Sequence, residues 1–396
     1  MFTKVNIALF TFVNMILNSQ ITNWYSKHFE TRLSGRYIGS KHINPILFEY
    51  QKLGLVEVLG NSEKGEKIHL IKVGHGSKKV LAWSQMHGNE STTTKSIFDF
   101  LKFLLQEKDF KNEIDTFKQQ WTLYVIPILN PDGAHVYTRE NANLIDLNRD
   151  AQNVSQAESK ILWKAFNAIK PNYCFNLHDQ RTLYSLPKGQ PATISFLAPS
   201  ADSNRTVTDA RRNAMEAIAR MFNVLNSFIP GKIGRYDDTF NLNCVGDSFQ
   251  AKGVPTILFE AGHFPNDYQR EKTREYVFYA FLGFFKLLES NKELFTIKDY
   301  FIIPENEKNF NDVVLRNVSV NDEIVDIIIQ LEEKLHNDTI ILVPRIEDIS
   351  KKSMKIGHKE IDVEGNELLI NSHENVFVNE EIATICYKNS KKSIIL

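Results

Sequence analysis

Residues 79–90 have the sequence KVLAWSQMHGNE, in which an apolar run leads directly into His87 and Glu90. The run, Lys79–Met86, has the length and apolar content of a buried strand. The residues that follow, Thr92–Leu105, repeat apolar side chains at the spacing of a helix with one buried face. A strand that passes through a short polar turn into a helix is typical of α/β sheets.

The same alternation of strand-like and helix-like segments continues along the chain. Ser155 and Glu158 have the spacing of a capping box at the start of one predicted helix. Several predicted strands lack a polar face, which is typical of a sheet covered on both sides. We therefore expect an α/β fold: a mixed, mostly parallel, doubly wound sheet with helices on both faces. The predicted strands are Lys67–Val73, Lys79–Met86, Trp121–Leu129, Asn172–Leu177, Thr193–Ala198 and Val254–Phe259, and the predicted helices are Thr92–Leu105, Ser155–Ile169, Ser203–Phe228 and Asp267–Leu288.

Residues 298–396 differ from the rest of the chain in pattern and in charge. They hold 12 basic and 19 acidic side chains, a net charge of −7, whereas residues 1–297 hold 35 and 29, a net charge of +6. We predict a main α/β domain over 26–297 and a small β-rich C-terminal domain over 298–396, with His358 and His373 at its surface. Its predicted strands are Phe301–Ile303, Val313–Val320, Ile324–Gln330, Thr339–Val343 and Lys359–Val363.

The N-terminal residues 1–25 are predicted to be an extension of the main domain. The apolar run 5–17 is interrupted by two asparagines and is shorter than the roughly 20 residues that a membrane-spanning helix needs. We expect an uncleaved extension, no membrane span and a cytoplasmic protein. If residues 1–19 act instead as a secretory signal, the protein is secreted or periplasmic.

The composition excludes several classes of protein. The 396 residues are 42% apolar and 24% charged, which fits a chain that buries a large core rather than a disordered one. The formal net charge of −1 argues against nucleic acid as the main partner. Three cysteines cannot all pair within one chain, so no disulfide framework is expected.

Histidines and carboxylates follow several of the predicted strands. Ligands of open α/β sheets gather beyond the carboxyl ends of the strands. His87 and Glu90 follow one strand, His178 follows a second, and Glu260 ends a third. Two imidazoles and one carboxylate are the ligand set of a catalytic zinc, and Glu260 beside that metal would suit general-base work. His263, three residues beyond Glu260, is expected to be paired locally.

A second motif, Asp146-Leu-Asn-Arg149, lies between these strand ends. Arg149 offers a planar guanidinium that can bind a carboxylate with two hydrogen bonds, beside Asn148. Arg139 lies a few residues earlier. Each arginine, taken alone, fits a salt bridge on the surface better than a role in binding.

Together these residues resemble the zinc metallocarboxypeptidase family (peptidase M14). The matching segments are His87-x-x-Glu90, Asn130-Pro-Asp-Gly133, Asp146-x-Asn-Arg149, His178 in Asn-Leu-His-Asp, and Glu260 in Leu-Phe-Glu-Ala-Gly-His. Five motifs in the family's order cover roughly residues 65–290, so 26–297 would be a catalytic domain. Asn148 follows Gly133 by only 15 positions, which is more similar to the bacterial and cytosolic branches than to the digestive enzymes.

The resemblance implies one zinc ion per chain, bound by His87, Glu90 and His178. It implies that Asp146 accepts a hydrogen bond from the far ring nitrogen of His87 and fixes its tautomer. Glu260 would take a proton from a zinc-bound water and later protonate the leaving amine.

The resemblance also implies how the substrate is held. Asn148 and Arg149 would bind the terminal carboxylate of a peptide, and Arg139 would stabilise the oxyanion. Tyr236, 24 residues before Glu260, is the candidate for the family's substrate-capping tyrosine. The residue that sets side-chain preference is expected within 195–255, without a named candidate.

The resemblance therefore predicts hydrolysis of C-terminal peptide bonds in peptides with a free carboxylate. Two alternatives stay open. A zinc-dependent amidohydrolase that deacylates N-acyl amino acids would use the same residue types, and a binding module could retain the fold without turnover. The sequence gives no oligomeric state.

Overall fold

The computed structural model describes residues 18–287 and 294–396. The apolar run 5–17 lies outside the described residues, whereas residues 18–25 of the predicted extension belong to a helix whose Ile21 and Trp24 pack in the main core. Strands β1–β10 are Val56–Asn61, Lys67–Gly74, Lys78–Ser84, Trp121–Ile126, Tyr173–Asp179, Ser185–Leu186, Gln190–Pro191, Ile194–Leu197, Ile233–Arg235 and Thr256–Ala261. Eight of them form one sheet in the order β1-β2-β4-β3-β5-β10-β8-β9.

The centre of this sheet is parallel and its flanks are mixed. Strands β4, β3, β5 and β10 run in one direction, so their carboxyl ends lie at the same edge. Antiparallel pairs join β1 to β2, β2 to β4, and β8 to β10. The centre of the sheet is therefore the place where residues from several strand ends can meet.

Helices cover both faces of the sheet, as predicted. The α-helices α1–α10 are 18–28, Ser40–Lys52, Thr92–Leu105, Lys111–Gln120, Pro131–Val136, Ala157–Ile169, Asp209–Asn226, Val245–Ala251, Glu271–Phe284 and Ile297–Ile302. One face has a large aromatic core that includes Phe100, Phe175 and Phe281. The other face is filled by a smaller core that includes Phe166 and Phe249. The mixed, mostly parallel α/β sheet is confirmed.

A second sheet follows the main one in the chain. Strands β11–β16 are Phe310–Val320, Glu323–His336, Thr339–Ser350, Ile356–Asp362, Leu368–Ile370 and Ile385–Tyr387. The first four form a sheet in the order β13-β12-β11-β14, and β15 pairs with β16. This C-terminal sheet has its own apolar core around Leu315, Ile327 and Ile346. Within the described residues, no helix is long and apolar enough to cross a bilayer.

Two local predictions are wrong. Phe301–Ile303 is not a strand, because α10 begins at a capping box of Thr296 and Asp299 and continues to Ile302. Ser155 does not cap α6, because its hydroxyl and backbone N–H both bind Asp150, and Gln156 takes the N-cap position instead.

Candidate active site

Three predicted metal ligands converge at the carboxyl edge of the parallel strands. Ligand atoms of His87, Glu90 and His178 all lie within 4.8 Å of one another, and all three residues are largely buried. Nδ1 of His87 lies 2.9 Å from Glu90 Oε1, and Nδ1 of His178 lies 2.7 Å from Glu90 Oε2. The two Nδ1 atoms are 3.0 Å apart. Two imidazole nitrogens and a carboxylate that face one point fit a catalytic zinc.

The turn that carries His87 is fixed by close backbone packing. At Gly88 an added Cβ would lie 2.1 Å from the backbone of Gly133, so only glycine allows this approach. The Asn130 side chain accepts a hydrogen bond from Gly133 N at 2.9 Å and donates one to Met86 O at 3.2 Å. The Asn130-Pro-Asp-Gly133 motif therefore anchors the ligand-bearing turn rather than contacting the ligand point.

Asp146 orients His87 from the far side of the ring. Nε2 of His87 lies 3.0 Å from Asp146 Oδ1, and Arg139 Nε donates to Asp146 Oδ2 at 3.1 Å. Burial alone would raise the pKa of Asp146, but the hydrogen bond from His87 and the Arg139 charge outweigh it and lower that pKa. With Nε2 bonded to a carboxylate, Nδ1 of His87 is left to face Glu90 and His178.

His178 lies inside β5 and is almost fully buried. No residue in the described ranges is a hydrogen-bond partner of its Nε2 atom. Burial lowers the pKa of His178, the direction that favours the neutral imidazole a metal requires. The donor set and the protonation tendency of His178 both fit zinc.

Glu260 lies in β10 directly beside His178, its register partner in β5. It is 8% exposed, and none of the residues that the structure describes gives its carboxylate a hydrogen bond. Burial raises the pKa of Glu260, and the carboxylates of Glu90 and Asp179 raise it further. A carboxylate that is unpaired and has a raised pKa at the edge of a cleft can both accept and return a proton.

A cleft of about 400 Å³ contains both the ligand cluster and Glu260. It is also lined by the other predicted residues, namely Arg139, Asn148, Arg149 and Tyr236. NH1 of Arg139 lies 3.3 Å from Glu90 Oε1, so the guanidinium reaches the ligand point. The Asn148 side chain accepts a hydrogen bond from the backbone at the start of α8. The structure thus brings together every predicted site residue, with Asp146 behind His87.

Tyr236 lies in the cleft and its hydroxyl bonds that of Tyr184, another lining residue. Arg149 is more exposed, and its NH1 donates to the adjacent backbone carbonyl at 2.8 Å and to Cys244 Sγ at 3.2 Å. No carboxylate of the described residues forms a salt bridge with Arg149, so its guanidinium is available to a ligand in the cleft.

Several lining residues were not predicted from the sequence, and Asp247 is the most distinctive of them. It lies in the first turn of α8, beside Cys244 in the cleft wall, and burial raises its pKa to about 6. The acidic first turn after Cys244 was visible in the sequence, but that pattern is common at helix starts.

The three other histidines singled out in the sequence differ in outcome. His358 is half-buried rather than fully exposed, and its ring stacks on Phe310 at 4.4 Å and lies 4.3 Å from the ring of His263. His263 is buried, and neither ring nitrogen has a hydrogen-bond partner among the described residues, so the expected local pairing is wrong. His373 is exposed, as expected.

Comparison with known proteins identifies the class. The family model for zinc carboxypeptidases (peptidase M14) matches residues 42–311. The chain belongs to the zinc carboxypeptidase family. It is a zinc metallopeptidase, and its family depends on zinc.

Solved structures support the same fold. A metallo-carboxypeptidase from Burkholderia cenocepacia is 17% identical, with a TM-score of 0.52, over 63% of this chain and 69% of that one. A metallo-carboxypeptidase from Pseudomonas aeruginosa, solved with (2-guanidinoethylmercapto)succinic acid, is 16% identical, with a TM-score of 0.51, over 64% of this chain and 70% of that one.

Proposed function

We propose that this protein is a metallocarboxypeptidase that hydrolyses the C-terminal peptide bond of peptides with a free carboxylate. One observation carries the proposal: a single cleft holds the His87, Glu90 and His178 cluster, the unpaired carboxylate of Glu260, and the Arg149 guanidinium. These are a metal centre, a base and a carboxylate anchor within reach of one substrate.

In this proposal His87, Glu90 and His178 hold one zinc ion per chain. Bound zinc supplies Lewis-acid polarisation of the scissile carbonyl and lowers the pKa of the attacking water. Glu260 accepts the proton of that water and then gives it to the nitrogen of the departing residue. Its raised pKa suits both steps, because the protonated form persists long enough to act as an acid.

Three further residues hold the substrate. Arg149, with Asn148 beside it, binds the terminal carboxylate through two parallel N–H···O hydrogen bonds from the edge of the guanidinium. Arg139 stabilises the negative charge that develops on the carbonyl oxygen, since its NH1 already points toward Glu90 and His87. Tyr236 covers the substrate from the cleft wall.

The domain division and the compartment belong to the same proposal. We propose an N-terminal extension over 1–25, of which residues 18–25 pack against the main core in α1, a catalytic domain over 26–297 and a β-rich domain over 298–396, in a cytoplasmic protein. The separate apolar core of the C-terminal sheet supports this division. The family match continues to residue 311, so the boundary is proposed from the change in strand pattern and charge.

The experiment compares wild-type protein with Glu260→Gln on three substrates: a blocked dipeptide with a free carboxylate, its C-terminal amide, and an N-acyl amino acid. We expect turnover of the free dipeptide alone. The variant should keep wild-type zinc content and lose about 10²- to 10⁴-fold in kcat. Turnover confined to the acyl amino acid would establish the deacylase alternative, and near wild-type kcat in the variant would remove Glu260 from the reaction.

A further inference from the structure

Arg36 lies outside every motif, yet its side chain is among the most enclosed charges near the metal centre, at 5% exposure. Its NH1 donates to Asp179 Oδ2 at 2.7 Å and to Thr92 Oγ1 at 2.6 Å. Asp179 directly follows His178, and Thr92 lies two positions after Glu90. One guanidinium therefore joins the two segments that carry two of the three ligands.

Hydrogen bonds also connect the segment that carries Glu90 directly to the segment that carries His178. Asp179 Oδ2 also accepts from the backbone N–H of Thr92 at 3.1 Å. In the other direction, the backbone N–H of Asp179 donates to Glu90 Oε2 at 3.1 Å. The Ser91 hydroxyl donates to the backbone carbonyl of Arg36. The orientation of the Glu90 carboxylate thus depends on how Asp179 is held.

The C-terminal sheet supplies the remaining partner of Arg36. Glu333 of β12 places Oε1 3.1 Å from Arg36 Nε, and its Oε2 accepts the hydroxyl hydrogen of Tyr137. Arg36 is therefore held between Asp179 on the ligand side and Glu333 on the side of the appended sheet. A buried guanidinium requires such partners on each side, because an unpaired charge is costly to bury.

We propose that Glu333 is a positioning residue for the zinc site. Through Arg36 it fixes Asp179 and Thr92, and thereby the segments that carry His178 and Glu90. The C-terminal sheet is then a functional part of the metal centre and not only a neighbour of the catalytic domain. The inference rests on the proposed function in one respect, the assignment of the ligands.

Glu332, the adjacent residue on β12, provides a matched control. Its carboxylate pairs with Arg345 of β13 at 2.7 Å and its side chain is 40% exposed. Successive side chains of a strand point to opposite faces, so Glu332 makes the same kind of ion pair away from Arg36. Glu332→Gln and Glu333→Gln remove the same charge from neighbouring positions of the same strand.

The test measures zinc affinity of the full-length, metal-stripped protein by competition with a chromogenic chelator, together with its thermal unfolding midpoint. We expect Glu333→Gln to weaken zinc binding by about 10- to 100-fold, as is typical when a residue that orients ligands is lost. Glu332→Gln should bind zinc like the wild type. Both variants should unfold within a few degrees of each other without metal, which separates a positioning role from a general loss of stability.

Equal zinc affinity in Glu333→Gln and wild type would overturn the proposal. If Glu333→Gln does not fold, zinc binding by Arg36→Lys tests the proposal instead. The single ammonium of lysine keeps the charge but cannot reach Asp179 and Glu333 together. Wild-type affinity in folded Arg36→Lys would equally overturn it. A parallel His178→Ala sample tests the ligand assignment separately from the positioning role of Glu333. If that variant retains zinc, the ligand assignment fails, whatever the Glu333 result.

Discussion

Substitution of Asp247 by Asn should stabilise the protein at neutral and alkaline pH. Burial in the cleft wall raises the pKa of Asp247 to about 6, whereas an aspartate in an unfolded chain titrates near ~3.9. The folded state therefore binds more protons than the unfolded state between these two values. Stability should fall as pH rises through this window, because the folded protein holds a charged carboxylate in a poorly solvated place.

The magnitude follows from the difference of about two pKa units. At about 1.4 kcal/mol per unit, ionised Asp247 costs up to about 3 kcal/mol of unfolding free energy above pH 7. Asparagine imitates the protonated form and can still accept the hydrogen bond from Asn241 N. The variant and the wild type should therefore be about equally stable near pH 4 and differ most near pH 8.

The assay is urea unfolding of metal-stripped protein at pH 4.5 and pH 8, with Asp115→Asn as an exposed control, since Asp115 pairs with Lys111 on the surface. The control should differ from wild type by the same few tenths of a kcal/mol at both pH values. If Asp247→Asn is less stable than wild type at pH 8, ionised Asp247 does not destabilise the fold. That result would mean that a partner in the fold already compensates the Asp247 charge.

Two further predictions concern the substrate anchor and the core. Arg149→Ala should raise KM for peptides with a free carboxylate, because it removes a donor to that group; an unchanged KM in steady-state kinetics would contradict carboxylate binding. Asp99→Asn should cost about 3–5 kcal/mol of unfolding free energy, because Asp99 and Arg274 are fully buried and paired at 2.7 Å. A loss under about 1 kcal/mol in urea unfolding would show that Arg274 finds sufficient compensation elsewhere.

The main sheet and the clustering of His87, Glu90 and His178 were predictable because their signals are local. The bounds of the helix Thr92–Leu105 match the prediction, because the apolar periodicity and the polar turn before the helix both indicate the same start. His87, Glu90, His178 and Glu260 each follow or end a strand, and parallel strands bring those ends to one edge. The chain order of the motifs therefore contained most of the site.

Other features depend on competition between neighbours or on distant contacts. The Phe301–Ile303 segment is too short for periodicity to separate strand from helix, although Thr296 and Asp299 had the spacing of a capping box. Ser155 had a plausible partner in Glu158, but Asp150 binds its hydroxyl instead.

The contact between Arg36, Asp179 and Glu333 joins residues that are 143 and 297 positions apart in the chain. Each residue alone resembles an ordinary surface charge, so no local pattern indicates that the C-terminal sheet reaches the metal centre. Only the packed structure brings the three together.

The proposed reaction requires that one zinc site, one base and one carboxylate anchor act on the same substrate. The most direct test is a zinc titration of metal-stripped protein, followed by hydrolysis of a blocked dipeptide with a free C-terminus. We predict that turnover of this dipeptide rises linearly with added zinc and reaches a plateau at one zinc per chain, while the amidated dipeptide is not hydrolysed at any zinc level. Stoichiometric zinc binding without any turnover of the free dipeptide would contradict the proposed reaction.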